Sequence, residues 1–95
     1  MDRAFKALSD PTRRRILALL GERERTVGEL VACFDVSQPA ISRHLAVLRD
    51  AGLVTSLRQG QNVVYALDTT VVQDVVRALL DLASPPPRVA RKRTV

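Results

Sequence analysis

Two helix-start signals lie eleven residues apart near the middle of this 95-residue chain. Thr26 and Glu29 have the spacing of a capping box, in which each side chain bonds the other residue's backbone N–H. Ser37 follows as a second N-cap residue. The signals therefore predict a helix over 26–34 and another over 37–51, joined by a very short turn.

Apolar residues recur on one side of each of these two helices, at the i, i+3, i+4, i+7 spacing of a buried stripe. Val36 and Ile41 occupy the two positions of a hydrophobic staple around the second N-cap. Gly52 is placed to end the second helix as a C′ glycine. The two stripes consist of Val27, Leu30, Val31 and Phe34 in the first helix and Ile41, Leu45 and Leu48 in the second.

Further start and stop signals divide the rest of the chain. Two β-rich segments show the alternation of side chains that is typical of strands, and the two patterns are in phase. The alternating positions are Leu53, Thr55 and Leu57 in the first segment and Val63, Tyr65 and Leu67 in the second. The other predicted elements are a helix over 2–8, a helix from Asp10-Pro11 to Gly21, strands over 53–58 and 63–67, a hairpin loop over 59–62, and a helix from Asp68 or Thr69 to Ala83. The predicted fold is mainly α with a small β-hairpin, in the order α-α-α-α-β-β-α. A tight helix pair followed by a hairpin is typical of a winged helix-turn-helix.

The solvent side of the 37–51 helix carries small and polar residues with one long cation. Such a surface can approach base edges closely: Gln38 can pair with adenine, and Arg43 with guanine or a phosphate. His44 lies at the boundary of the buried stripe, where a packed or hydrogen-bonded role is favoured over base reading. The predicted DNA contacts are Ser37, Gln38, Pro39, Ser42 and Arg43 on the helix and Arg58, Gln61 and Asn62 on the hairpin. For the helix residues, the alternative is an ordinary amphipathic helix with a solvated face. For the hairpin residues, the alternative is that they merely favour a tight turn.

The last helix has an apolar surface wider than one stripe, and a short chain has little mass to cover it. Pairing with a second copy would bury this surface; the alternative is a helix buried within a monomer. A two-fold dimer would set two helices in successive major grooves of a pseudo-palindrome. The predicted dimer interface contains Phe5, Leu8, Val72, Val75, Val76, Leu79 and Leu80.

The net charge of +5 lies mostly at the C-terminal end of the chain. Residues 84–95 begin with Ser84 and three prolines and continue as a basic stretch whose four cations leave only +1 on residues 1–83. We therefore expect one domain over 1–83 and a flexible tail over 84–95. The tail is either a nonspecific phosphate-binding arm or a solvated segment without a role.

Several classes of protein are disfavoured by what the sequence contains. Its one cysteine, Cys33, cannot form an internal disulfide, so a reducing, cytoplasmic location is expected. The first residues lack the apolar region of a signal peptide, and the apolar runs are too short to span a membrane. No paired carboxylates, nucleophile–base pair or phosphate loop suggest an enzyme.

Taken together, five segments are specific enough to suggest a family: 5–17 around Ser9-Asp10-Pro11-Thr12-Arg13-Arg14-Arg15, 26–30, Ser37-Gln38-Pro39-Ala40-Ile41-Ser42-Arg43-His44-Leu45, Leu48 to Val54, and 58–65. Over residues 3–82 the sequence resembles the ArsR family of bacterial winged-helix transcriptional repressors. The resemblance implies a homodimer that binds an operator in double-stranded DNA, usually near its own gene, and represses transcription.

The chain departs from the resembled family at the residues that hold metals. The family's arsenic- or cadmium-type site needs Cys-x-Cys, where this chain has Val31-Ala32-Cys33. Its zinc-type site needs Asp and His pairs on the last helix, where this chain has no histidine. We therefore expect a metal-independent repressor without a cofactor. The alternatives are a metal- or thiol-responsive repressor that uses Cys33, and a winged helix whose exposed face binds another protein.

Overall fold

Five helices and a three-stranded antiparallel sheet make up residues 1–85, the part of the chain that this computed structural model describes. The elements are α1 Asp2–Ala7, α2 Pro11–Glu22, β1 Arg25–Thr26, α3 Val27–Val31, α4 Gln38–Asp50, β2 Val54–Gln59, β3 Asn62–Leu67 and α5 Thr69–Ala83. The predicted fold class, a mainly helical winged helix-turn-helix, is confirmed. The basic stretch of the predicted tail, residues 88–95, lies outside the described residues.

Side-chain caps open four of the helices where the sequence places them. In the capping box of α3, the backbone N–H of Glu29 donates to Thr26 Oγ1 at 3.2 Å, and that of Thr26 donates to Glu29 Oε1 at 2.9 Å. Each cap satisfies a backbone N–H that has no partner inside its helix. The N-cap residues of α2, α4 and α5 are Asp10, Ser37 and Asp68.

The core forms around α4. Ile41, Leu45 and Leu48 are fully buried along one side of this helix. Complete burial of such a side chain stabilises the fold by about 1.5–3 kcal/mol. They pack in a cluster with residues of α1, α2, α3, β2 and α5, among them Ala7, Ile16, Leu20, Leu30, Val54 and Val75.

Helices α2 and α3 end at different residues from those predicted. Helix α2 runs through Gly21 to Glu22, because one glycine near a helix end costs too little to stop it. Helix α3 ends at Val31 rather than at residue 34. The backbone N–H groups of Cys33 and Phe34 donate to carbonyls three residues earlier, so the chain leaves α3 in tight turns.

The hairpin pairs in a phase different from the predicted one. Leu57 lies opposite Val64, and Ser56 lies opposite Tyr65. Directly paired residues share a face of the sheet, so Leu57 lies on the face opposite to that of Tyr65. Leu57 is 64% exposed, so its side of the hairpin is turned to solvent at this position.

The loop of the hairpin is shorter than predicted, and a third strand joins the sheet. Gln59 pairs with Asn62, so the turn is Gly60-Gln61, with Gly60 at φ +63°. Strand β1 pairs with β3 to give the order β1-β3-β2. A two-residue strand is too short to leave a period-two pattern in the sequence.

The end of α4 depends on a glycine with a left-handed backbone. Gly52 has φ +79°, and its N–H donates to the carbonyl of Arg49 at 2.9 Å. The N–H of Leu53 donates to the carbonyl of Leu48 at 3.0 Å. These two bonds form a Schellman motif, as predicted for a C′ glycine.

Replacing two glycines by alanine should have opposite effects on stability. Gly52→Ala should lower the free energy of unfolding by about 1–2 kcal/mol, because a Cβ disfavours positive φ. Gly21→Ala should raise it by up to about 1 kcal/mol, because Gly21 is helical and a Cβ would meet only Leu67 Cδ1 at 3.6 Å. Urea unfolding followed by circular dichroism measures both; equal effects of the two variants would contradict the assignment of Gly52.

Candidate nucleic-acid interface

The side of α4 opposite the core is exposed along its whole length. Most residues on this side are small, polar or cationic, and the apolar Val47, which is 39% exposed, lies beside them. The predicted contact residues of this helix, Ser37, Gln38, Pro39, Ser42 and Arg43, are all exposed. Because Ile41, Leu45 and Leu48 hold the other side in the core, the face that α4 presents to solvent is fixed.

One residue that sequence reasoning missed connects α4 with the hairpin. Arg49 Nη1 donates to Ser56 Oγ on β2 at 3.2 Å. Arg49 is exposed and lies seven residues after Ser42, on the same side of the helix. This seven-residue spacing was the signal in the sequence that could have placed Arg49 on the same surface. The bond links the orientation of the hairpin to that of α4.

The hairpin carries the remaining predicted contact residues. Arg58, Gln61 and Asn62 are all exposed. Arg58 pairs with Val63 within the ladder, and Gln61 lies in the turn, while Asn62 belongs to β3 rather than to the loop. The hairpin therefore presents a cation and two amides at its far end, which is the geometry of a wing.

A polar cluster supports α4 from the side of α2. His44 lies half-buried, with its Nδ1 3.3 Å from Arg13 Nη1 and 3.8 Å from Asp10 Oδ2. Asp10 Oδ2 accepts the backbone N–H of Arg13 at 3.0 Å. That hydrogen bond, aided by the charges of His44 and Arg13, holds the pKa of Asp10 below its ordinary value. His44 is thus the hydrogen-bonded boundary histidine that the sequence predicts.

The outer face of α5 is apolar and exposed. Val76, Leu79 and Leu80 are 49%, 45% and 62% exposed, and Leu82 is 78% exposed. The predicted interface needs one correction: Val75 is only 3% exposed, because it points into the core of its own chain. Phe5, Leu8 and Val72 are half-buried and pack against the same core, so each offers a partner only part of its surface.

Cys33 lies half-buried near the end of α3, and its thiol donates to the carbonyl of Glu29 at 3.4 Å. Within residues 1–85, no three side chains of His, Cys, Asp or Glu come together in a group that could hold a metal ion. The helices of this part of the chain are all too short or too polar to cross a membrane. The exposed face of α4 and the wing are the candidate nucleic-acid interface of the described residues. A winged helix-turn-helix with this surface defines a DNA-binding protein.

Comparison with known proteins agrees with this class. Residues 10–56 match the family model of bacterial regulatory proteins of the arsR family. The chain is 44% identical to the transcriptional repressor SdpR of Bacillus subtilis over 81 residues, which cover 85% of this chain and 90% of SdpR. It is 40% identical to the transcriptional activator HlyU of Vibrio cholerae over 75 residues, covering 79% of this chain and 69% of HlyU.

A solved structure agrees as well. The crystal structure of a possible transcriptional regulator for arsenical resistance matches with a TM-score of 0.78 and 37% identity, over 100% of this chain and 97% of that one. The chain therefore belongs to the ArsR family of bacterial transcription regulators. It is a DNA-binding regulator and not an enzyme.

The N-cap of α2 gives a pH-dependent prediction. Because the folded protein lowers the pKa of Asp10, the stabilisation from its carboxylate is present above the ordinary aspartate pKa and is lost as pH falls through the folded value. Asp10→Asn keeps a good N-cap but does not titrate. Its unfolding free energy should therefore fall less steeply with acidification than that of the wild type. Urea unfolding measures the unfolding free energy of both proteins at each pH. An equally steep fall in the wild type and in Asp10→Asn would contradict this assignment.

Proposed function

We propose that this protein is a metal-independent, dimeric transcriptional repressor that binds a pseudo-palindromic operator through α4. The observation that carries the proposal is the exposed face of α4, in which Gln38, Ser42 and Arg43 surround small residues. Such a helix fits the major groove, where each base pair has a distinct pattern of donors and acceptors. Arg43 reads guanine or holds a phosphate, and Gln38 reads adenine.

The wing is proposed to contact the DNA backbone beside the major groove. Arg58 supplies the charge, and the amides of Gln61 and Asn62 supply hydrogen bonds to phosphates or to the minor groove. The bond between Arg49 and Ser56 supports this role, because it keeps the wing in one orientation relative to α4. The wing thereby sets the register of the helix on the duplex.

The distribution of charge favours recognition of DNA by individually placed cations over attraction between the whole domain and the phosphates. Residues 1–83 carry a net charge of only +1, so attraction of the whole domain to phosphates is weak. Affinity must then come from where the individual cations lie. The predicted basic tail would add binding free energy that depends on the salt concentration and not on the base sequence.

The dimer is proposed to form through α5. Val76, Leu79, Leu80 and Leu82 present more apolar surface than one short chain covers, and surfaces of this kind mark interaction sites. Phe5 and Leu8 of α1 and Val72 of α5 extend the proposed interface at its edge. A two-fold pair would present two copies of α4 to successive turns of one duplex.

Metal independence rests on the residues that this chain carries. A transition-metal site needs several nitrogen or sulfur ligands, and the chain has one cysteine and one histidine. Cys33 and His44 also have separate partners, the carbonyl of Glu29 and Arg13. The alternative is a metal-responsive mechanism, which is considered because the structure resembles that of a possible transcriptional regulator for arsenical resistance. Removal of metal tests this alternative.

Selection of bound duplexes from a random-sequence library tests the function. We expect the protein, with or without a chelator, to enrich a pseudo-palindromic site and to bind it in a salt-sensitive manner. Arg43→Ala should weaken binding to that duplex about 10–100-fold and relax discrimination at one base pair of each half-site. Arg43→Lys is the matched control, because it keeps the charge but loses the planar two-pronged donor.

The control separates base reading from phosphate binding. We expect Arg43→Lys to recover affinity for scrambled DNA without recovering discrimination. Enrichment of no site at low salt would refute DNA reading and favour the protein-interaction alternative. Loss of binding on chelation would refute metal independence.

The dimer has a separate test in the oligomeric state. Leu80→Glu places a charge on the proposed interface, so it should shift the protein from dimer to monomer in analytical ultracentrifugation and weaken operator binding at least tenfold. Leu57→Glu, which is equally exposed but lies on the wing, should leave the dimer intact. A stable dimer of Leu80→Glu would overturn the interface.

A further inference from the structure

Three consecutive arginines on α2 are not part of the proposed DNA surface, and each joins α2 to another part of the fold. Arg14 Nη1 donates to the carbonyl of Leu8 at 2.7 Å. The guanidinium of Arg15 lies 5.4 Å from the ring centre of Phe34, in a cation–π contact. Arg13 is the one that reaches α4, through His44.

Arg13 uses its guanidinium to connect three helices. Its Nε donates to the carbonyl of Ala7 at 2.7 Å, and its Nη2 donates to that of Lys6 at 3.2 Å, both at the end of α1. Its Nη1 lies 3.3 Å from Nδ1 of His44 on α4. The side chain is part-buried, which strengthens these contacts relative to exposed ones.

The geometry of the pair sets how the histidine is bonded. An arginine side chain has donors and no acceptor, so the hydrogen bond between Arg13 and His44 is one in which Nδ1 of the neutral ring accepts. Asp10 Oδ2, at 3.8 Å from Nδ1, is beyond hydrogen-bond distance. The bond to Arg13 therefore determines how this ring is held.

A directional bond restrains α4 in a way that its apolar side does not. Ile41, Leu45 and Leu48 set which face is buried through non-directional contacts, whereas the hydrogen bond to His44 adds a restraint with a preferred distance and angle. His44 is adjacent to Arg43, so a change at this anchor moves a proposed base contact directly. Small displacements of such groups carry large losses of recognition.

We propose that Arg13 is a positioning residue for DNA recognition, which holds α4 in its reading orientation by bonding His44 to the end of α1. The inference rests on the proposed function, because it assumes that α4 reads bases. Arg13 itself touches no base. Because α1 also lies at the edge of the proposed dimer interface, the same bond links the position of α4 to that of the interface.

Arg14 provides a matched control for Arg13. Arg13→Gln and Arg14→Gln each remove one positive charge from α2 and at least one bond to a carbonyl near the end of α1. Only the first also removes a contact with α4. At His44, the Asn variant keeps an acceptor near the position of Nδ1, whereas the Ala variant removes it.

The measurement is affinity for two probes: a duplex that the wild type enriches from a random-sequence library, and a scrambled duplex of the same composition. We expect Arg13→Gln and His44→Ala to weaken binding to the enriched duplex about tenfold while binding to the scrambled duplex and the salt slope stay near those of Arg14→Gln. The double variant should be no worse than either single one, because both remove the same bond. His44→Asn should recover most of the affinity.

Three results would overturn the inference: equal losses for Arg13→Gln and Arg14→Gln, independent effects in the double variant, or no recovery by His44→Asn. Circular dichroism and thermal unfolding establish that each variant is folded at the assay temperature. If Arg13→Gln does not fold, the contrast between His44→Ala and His44→Asn decides the question alone. Failure of the wild type to enrich any duplex would instead refute the proposed function.

Discussion

The burial of one side of α4 is the constraint on which the rest of the molecule depends. Ile41, Leu45 and Leu48 are completely removed from solvent, and the neighbouring helices and β2 supply the core that receives them. A helix held this way has a defined outward face. In this chain most of that face consists of small, polar or cationic residues, with Arg43 among them. The stability of the fold and the presentation of the proposed DNA surface therefore have one cause.

Polar contacts then add directional restraints to the position of α4, which the apolar core already sets. On one flank of α4, Arg13 and His44 bind it to α2 and α1. On the other flank, Arg49 binds it to the wing at Ser56. The two bonds are directional and lie on either side of the exposed face. Together they connect α4 to its neighbouring helices and to the wing, the second part of the proposed DNA surface.

The sequence predicts those features that depend on local chemistry. The caps at Asp10, Thr26 and Ser37 and the glycine at Gly52 are visible because capping needs particular side chains at fixed spacings. The phase of the hairpin was mispredicted, because strand register depends on the turn and on the tertiary partner. Val75 could not be separated from the exposed residues of α5, since an apolar run does not reveal which side faces the core.

The contacts of the site are harder to read from sequence than its residues. Nothing local pairs Arg13 with His44, 31 positions away, or Arg49 with the wing. The departures from Cys-x-Cys near Cys33 and from histidine on the last helix, in contrast, are visible at once, because they are a matter of residue type. Residue types therefore gave the class of surface, and tertiary contacts gave its organisation.

The spacing of half-sites tests most directly whether two copies of α4 read one duplex. Affinity is measured for duplexes that carry two copies of the selected half-site, with their centres moved apart one base pair at a time. A two-fold dimer predicts tight binding at a whole helical turn, about 10 bp or a multiple of it, and a loss at half-turn spacings. Affinity that does not depend on the spacing, or that equals the affinity for a single half-site, would contradict the account.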